Sequence, residues 1–271
     1  MKLKAKLPML LTGILYTSTL LGQDEKPAAS EAAELAKKLA NPIASLITVP
    51  FQNNLDVNIG EHNGYRNILN IQPVIPVKLS ANLNLISRII LPVVSQNNIT
   101  AKGTSQNGLS DALLSAFISP AQPKNGFVLG AGPALLLPIA TDELLSTKKF
   151  CIGPTALALR QTNGWTYGAL INQIWSVAGD DTRADVNQMF LQPFLVYNWK
   201  SGAGIGVNSE ITQNWEGSTT TAYINPTVSG VTKLGTQIVS LAIGPRFQVA
   251  TPEESRSDFG IRAVITLVFP K

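Results

Sequence analysis

Charged side chains make up only 14% of this 271-residue chain, so each one set among apolar neighbours needs a physical reason. Asp56, Arg66, Arg88, Glu210, Arg246 and Arg262 all lie in stretches rich in Val, Ile, Leu and aromatics. If those stretches are lipid-bounded strands, an outward Arg near the midplane costs about 2–4 kcal/mol, which forces these groups inward. Opposed arginines and carboxylates around an interior path would set its field and select small charged or amphiphilic solutes. The same groups could instead pair and plug a narrow interior. Asp111 and Arg160 belong to this set too, and they and Arg88 have a less definite register.

Other residues offer chemistry that the pattern does not develop. A hydrolase needs a nucleophile, a base and an orienting group. His62 is the sole histidine, in the loop Glu61-His62-Asn63-Gly64 with no serine pinned beside it, and the expectation is a solvated loop side chain. Asp180, Asp181 and Asp185 could offer oxygen ligands to calcium, although a plain acidic loop accounts for them. Gly130-Ala131-Gly132 is followed by no helix that could present its N-terminus to a phosphate. Cys151 is the only cysteine, which excludes an internal disulfide and any multi-cysteine metal site. No cofactor and no metal are expected.

The elements that must position the charged groups are strands. Between Lys200 and Trp215, Ile205, Val207, Ile211 and Trp215 take one face while Gly204, Gly206, Asn208, Glu210, Thr212 and Asn214 take the other. Such alternation marks a strand between an oily and a wet medium. The oily face could meet a second sheet in a soluble sandwich, or lipid in a membrane barrel. About twelve such segments follow Ser45: 45–59, 65–78, 82–95, 109–119, 126–138, 149–161, 164–178, 186–199, 203–215, 221–232, 237–250 and 258–269. Segments 82–95 and 109–119 are apolar on both faces. In the last segment Phe259, Ile261, Ile265 and Phe269 oppose Gly260, Arg262, Thr266 and Val268.

Connection lengths choose between the two settings. Tight turns at Ser80-Ala81, 161–164, 200–202 and 233–235 alternate with longer or more polar connections at 60–64, 96–108, 139–148, 179–185, 216–220 and 251–257. An outer-membrane barrel sorts its loops this way, whereas a sandwich has no reason to. The predicted fold class is therefore all-β, an antiparallel transmembrane β-barrel of about 12 strands. Trp165, Tyr167, Tyr197, Trp199 and Trp215 near strand ends fit interfacial girdles. Nine prolines fall inside these strands, three of them as Gly132-Pro133, Gly153-Pro154 and Gly244-Pro245, which predicts kinks or bulges.

The N-terminal region predicts export. Residues 1–22 combine a basic start with a short apolar run and read as a signal peptide. Discounting Lys2, Lys4 and Lys6 lowers the formal charge of +4 by three, leaving no electrostatic case for nucleic acid. Residues 23–44 are expected to form a periplasmic segment with a short amphipathic helix, either a free tail or docked on or inside the barrel of residues 45–271.

The strings LANPIASLITVPFQNN, NIQPVIPVKL, LNLISRIILPV, GPALLLPIAT, YGALINQIWSVAGD, MFLQPFLVYNW and ITLVFP resemble a group of Gram-negative outer-membrane proteins. That group is described as transporters, or as relatives of the protein of the "MetA-pathway of phenol degradation". The resemblance covers nearly all of residues 33–271 and implies a signal-bearing outer-membrane β-barrel with a transport role, with no residue-level mechanism attached. One departure is that Pro270-Lys271 follows Phe269, where barrel-assembly signals usually end on an aromatic. The resulting expectation is a porin-like channel for passive passage of small solutes, aromatic or amphiphilic ones among them. A non-conducting structural or ligand-binding barrel and an outer-membrane hydrolase are the alternatives. Expected partners are the lipid bilayer, a small-molecule solute and the barrel-assembly machinery, with the chain acting as a monomer and no nucleic acid involved.

Overall fold

The computed structural model describes residues 29–269; the predicted signal peptide, residues 1–22, lies outside them. Helix α1 (Ala29–Leu39) precedes strands β1 (Ile47–Ile59), β2 (Gly64–Ile71), β3 (Val74–Lys78), β4 (Leu83–Asn97), β5 (Ser105–Leu109), β6 (Ala112–Pro120) and β7 (Phe127–Leu137). Then follow β8 (Lys149–Thr162), β9 (Trp165–Gly179), β10 (Asn187–Asn198), β11 (Ala203–Asn214), β12 (Thr219–Leu234), β13 (Gln237–Ala250) and β14 (Phe259–Phe269). Every pairing is antiparallel, and β14 returns to β1 from Ile47↔Phe269 to Val57↔Phe259. β2 and β3 are two halves of one barrel strand between β1 and β4. β5 and β6 are likewise two halves of the strand after β4. The result is a closed barrel of 12 strands. Closure satisfies every ladder without an edge, which a lipid setting demands. No helix among the described residues is long and apolar enough to cross a membrane.

The two faces separate as the alternation requires. Ile205, Val207, Trp215, Leu241, Ile243, Phe259, Ile261 and Ile265 are exposed on the exterior. Their neighbours Asn54, Asp56, Asn225, Arg246 and Arg262 are buried inside. Trp165, Tyr197 and Trp199 cluster at the short-turn rim, with ring centroids 4.8 and 5.6 Å apart. The short connections lie at the end where β1 begins and β14 finishes, and the longer ones at the opposite end.

The Gly-Pro pairs leave their strands whole. Proline has no N–H for the ladder, and pairing skips a step beside each of them. The glycines let the neighbouring strand close in at that step. A Cβ on Gly132 would run into the carbonyl oxygen of Ala116, one on Gly153 into that of Gln173, and one on Gly244 into that of Pro226. The interruptions that do occur are at Gln72-Pro73 and at Ser110-Asp111.

Three expectations are corrected. The alternation of segment 45–59 groups Ile59 with Ile47, Val49, Phe51, Leu55 and Val57 on the oily face, yet Ile59 is buried at 5%. Asn58 has φ 54° and the register shifts there, so the alternation slips by one residue. Arg160 was grouped with the interior charges, yet it pairs in register with Phe127 and Tyr167 on the outward face of β8. Its guanidinium lies 5.1 Å from the Phe127 ring centre. At the rim a long cationic side chain can reach the headgroups, so the penalty that operates at the midplane fades. The strand predicted from 109 begins at Ser105, because polar Ser105–Asn107 extends the ladder with β4 beyond the apolar belt.

Candidate functional site in the barrel lumen

From β11 through β12, β13 and β14 to β1, the interior wall is polar. Glu210 on β11 receives Arg246 Nη1 and Arg262 Nη2, each at 2.7 Å. Arg246 Nε lies 3.2 Å from Asp56 Oδ1, within ion-pair range but without hydrogen-bond geometry. Gly260 stands in register between those two residues, and a Cβ there would run into Asp56 Oδ1. The ion pair can therefore span β14 because residue 260 has no side chain. Arg262 Nε donates to Asn54 Oδ1 at 2.7 Å and its Nη1 to Asn208 Oδ1 at 3.3 Å. Arg246 Nη1 also donates to Asn225 Oδ1 at 3.1 Å, and the Arg246 guanidinium covers the Tyr223 ring at 3.4 Å.

These two guanidiniums and two carboxylates form a formally neutral network. Arg262 is 1% exposed, Asp56 3% and Arg246 7%. Ions this deep are tolerable only when paired and further supported, here by hydrogen bonds from the arginines to the asparagines and by the Tyr223 ring under Arg246.

The remaining two predicted residues stand apart. Arg66 Nε donates to Gln96 Oε1 at 2.8 Å, and Gln96 passes a hydrogen bond of 3.0 Å to Gln106. Arg88 Nη2 donates to Gln72 Oε1 at 2.7 Å. Among the described residues neither arginine has a carboxylate within ion-pair distance. The structure thus gathers Asp56, Glu210, Arg246 and Arg262, while Arg66 and Arg88 face the lumen on neutral amides.

The facing wall is apolar. Val74, Ile86, Phe117, Val128, Leu157, Leu159 and Leu170 form one buried cluster, with Phe190 and Phe194 packed against it. Sequence reading missed this wall. Its signal was present in segments 82–95 and 109–119, whose two apolar faces serve lipid on one side and this cluster on the other.

Ile43, 1% exposed, joins the same cluster from the segment after α1. The helix itself docks at the short-turn end against β10, β11 and β12. Ala32 and Ala36 are its buried contacts, and Ala32 lies close against Gly202. Gln161 Nε2 donates to Lys37 O at 2.6 Å and Asn198 Nδ2 to Ala36 O at 3.4 Å. A cavity of about 190 Å³ remains between Ala36, Leu39 and Ala40 and the inner faces of β10 to β14. A second, of about 90 Å³, lies under Leu39, Asn41, Pro42 and Ala44 and reaches Arg88.

The long-loop end carries the other candidates. His62 Nε2 is 3.3 Å from Glu61, and among the described residues no serine or threonine hydroxyl is hydrogen-bonded to it. Both line an outer cleft of about 810 Å³ between the 58–63, 98–100 and 253–258 segments. Asp180 accepts from Thr182 N and Oγ1 at 2.9 and 2.6 Å, hydrogen bonds that hold its carboxyl below the usual range. Asp185 accepts from Lys149 Nζ at 3.0 Å and Ser176 Oγ at 3.0 Å, which lowers it too. Their oxygens are committed separately, and among the described residues no group of three His, Cys, Asp or Glu could hold a metal ion. Asp111 clamps the 140–147 loop, accepting from Ala140 N, Ser146 Oγ and both Thr147 N and Oγ1.

A closed antiparallel barrel with an apolar exterior and a partly charged interior defines the class: this is an outer-membrane β-barrel. Its fold is similar to that of an outer membrane channel from Pseudomonas putida F1, with a TM-score of 0.64, 15% identity, and coverage of 83% of this chain and 96% of that one. Outer membrane phospholipase A from Escherichia coli matches less well, with a TM-score of 0.46, 11% identity, and coverage of 86% of this chain and 98% of that one. No protein-family model and no curated protein matches the sequence.

Proposed function

We propose that this protein is an outer-membrane channel for passive passage of small amphiphilic solutes, aromatic ones included. The observation that carries the reading is the two-walled lumen, charged from β11 to β1 and apolar from β6 to β10. An amphiphile can keep its polar group on one wall and its apolar part on the other, where a purely polar pore would favour ions and a purely apolar interior would trap oils. Asp56, Arg66, Arg88, Glu210, Arg246 and Arg262 would line the path. The fold likeness to a channel and the resemblance of the sequence strings to the MetA-pathway group add support. His62, set beside Glu61 alone, offers no catalytic arrangement to this reading.

α1 narrows the short-turn end in the described state. Its contacts are mainly alanines and two side-chain hydrogen bonds to backbone, so its hold on the wall is weak. Single-channel recording in planar bilayers tests the proposal. Small discrete steps are expected, and larger ones when residues 29–41 are deleted. Silent bilayers with both proteins, each showing a heat-modifiable folded band, would overturn it in favour of a non-conducting barrel.

A further inference from the structure

Charge is unevenly compensated along the lumen. Asp56, Glu210, Arg246 and Arg262 neutralise one another, so Arg88 is left as a cation whose hydrogen-bond partner is the neutral Gln72. Arg88 is only half-buried although it stands mid-strand on the inner face of β4, opposite Val74 and Ser115. Its free surface faces the cavity of about 90 Å³ bounded by Thr48, Pro50, Val74 and Thr266. That cavity shares Leu39 and Thr266 with the larger one of about 190 Å³ beneath α1.

We propose that the cavity at Arg88 binds the carboxylate of a small organic acid, with the acid's apolar part passing Leu39 and Thr266 into the larger cavity beneath α1. Gln72 takes one Nη2 proton, leaving the other Nη2 proton and an adjacent N–H, on Nη1 or on Nε, as the two-pronged edge that meets two carboxylate oxygens. A guanidinium inside the barrel, with no carboxylate at ion-pair distance, gains more from such a ligand than a surface arginine would. The apolar neighbours then select an acid with a hydrocarbon body over a bare inorganic anion. The inference rests on the proposed passage only in placing this site along its path, and it refines the solute class from amphiphile to carboxylic acid.

The test is calorimetric titration of the full-length protein in micelles with benzoate and with its neutral counterpart, benzyl alcohol. The site predicts benzoate binding at least about tenfold tighter than benzyl alcohol, as a charge-assisted hydrogen-bonded group warrants. Arg88→Gln should bring benzoate down to the alcohol's level and leave the alcohol unchanged. Arg88→Lys should retain part of the preference, since it keeps the charge and loses the fork. Equal affinities for the two probes in the wild-type protein would overturn the site, and that comparison stands even if Arg88→Gln fails to show a heat-modifiable band. Arg88-dependent benzoate binding with silent bilayers would keep the site and overturn the channel. Discrete conductance with benzoate binding indifferent to residue 88 would do the reverse.

Discussion

The wall from β11 to β1 and the wall from β6 to β10 enclose the same lumen with opposite chemistry. On the first, Arg262 at 1% exposure is held by Glu210 and asparagine side chains, and Asp56 at 3% by its ion pair with Arg246. On the second, Phe117 at 0% and Leu157 and Leu159 at 2% are held by packing alone. The contrast teaches that burial inside a barrel does not dictate residue type. A charged wall is stable where each charge finds a partner across adjacent strands. An apolar wall is stable where something apolar covers it, here Ile43 and the two phenylalanines of β10. Their failure modes therefore differ: the first by stranding a charge, the second by opening a cavity.

Breaking the charged wall should have the largest effect. Glu210→Ala strands Arg262 and leaves Arg246 with Asp56 alone, and it should cost about 3–5 kcal/mol, the penalty for an uncompensated buried charge. Replacing Asp56, Glu210, Arg246 and Arg262 together with uncharged residues of similar volume should cost far less, because no charge is then left without its partner. Urea unfolding in micelles, followed by tryptophan fluorescence, measures both, and equal losses would count against the network. Phe117→Ala on the other wall should cost about 3 kcal/mol through the cavity it leaves, and it should change the conductance without changing ion selectivity. A shift in reversal potential in that variant would blur the distinction between the walls.

Smaller effects lie at the rims. Arg160→Gln should change stability by less than about 1 kcal/mol, because the side chain sits at the interface beside Phe127. A loss several times larger would put residue 160 back among the interior charges. At the long-loop end, the hydrogen bond from Lys149 holds the Asp185 carboxyl below its usual range. A depressed carboxylate contributes stability above its unfolded value and loses it as the pH falls through the folded value. Below about pH 4 the 180–186 loop should therefore loosen. Hydrogen exchange at acid and neutral pH would show the change, and Asp185→Asn should mimic the acid state at neutral pH.

Much of this architecture was legible in the chain because lipid imposes a period of two. Ile205, Val207 and Trp215 alternate with Asn208 and Glu210, and Phe259, Ile261 and Ile265 with Arg262, as the exterior and interior require. The sorted connection lengths carried the closure. What the period could not carry were local slips and long-range company. Asn58 moves into positive φ and brings Ile59 inside, a bulge no alternation announces. Arg160 sits where the outward penalty has faded, so its charge gave a false direction. The docking of α1 in the lumen depends on small residues scattered over β10 to β14, which share no sequence neighbourhood with Ala32 and Ala36. The apolar lumen wall was visible only as ambiguity, in strands that looked oily on both sides. Of the six predicted charges, four found one another across five strands, a meeting set by register rather than by spacing.

The two-walled lumen can be tested most directly with a thiol. Cys151 is the only cysteine and is buried, so a Cys151→Ser background allows single cysteines to be read cleanly. Thr227→Cys would place a thiol in the cavity of about 190 Å³ under α1, and Leu157→Cys would place one within the apolar cluster. In proteoliposomes, a charged, water-soluble thiosulfonate should modify residue 227 at least about tenfold faster than residue 157, since thiol reactivity follows access and thiolate character. Equal rates at the two positions would contradict a lumen divided into a wet charged wall and a dry apolar one.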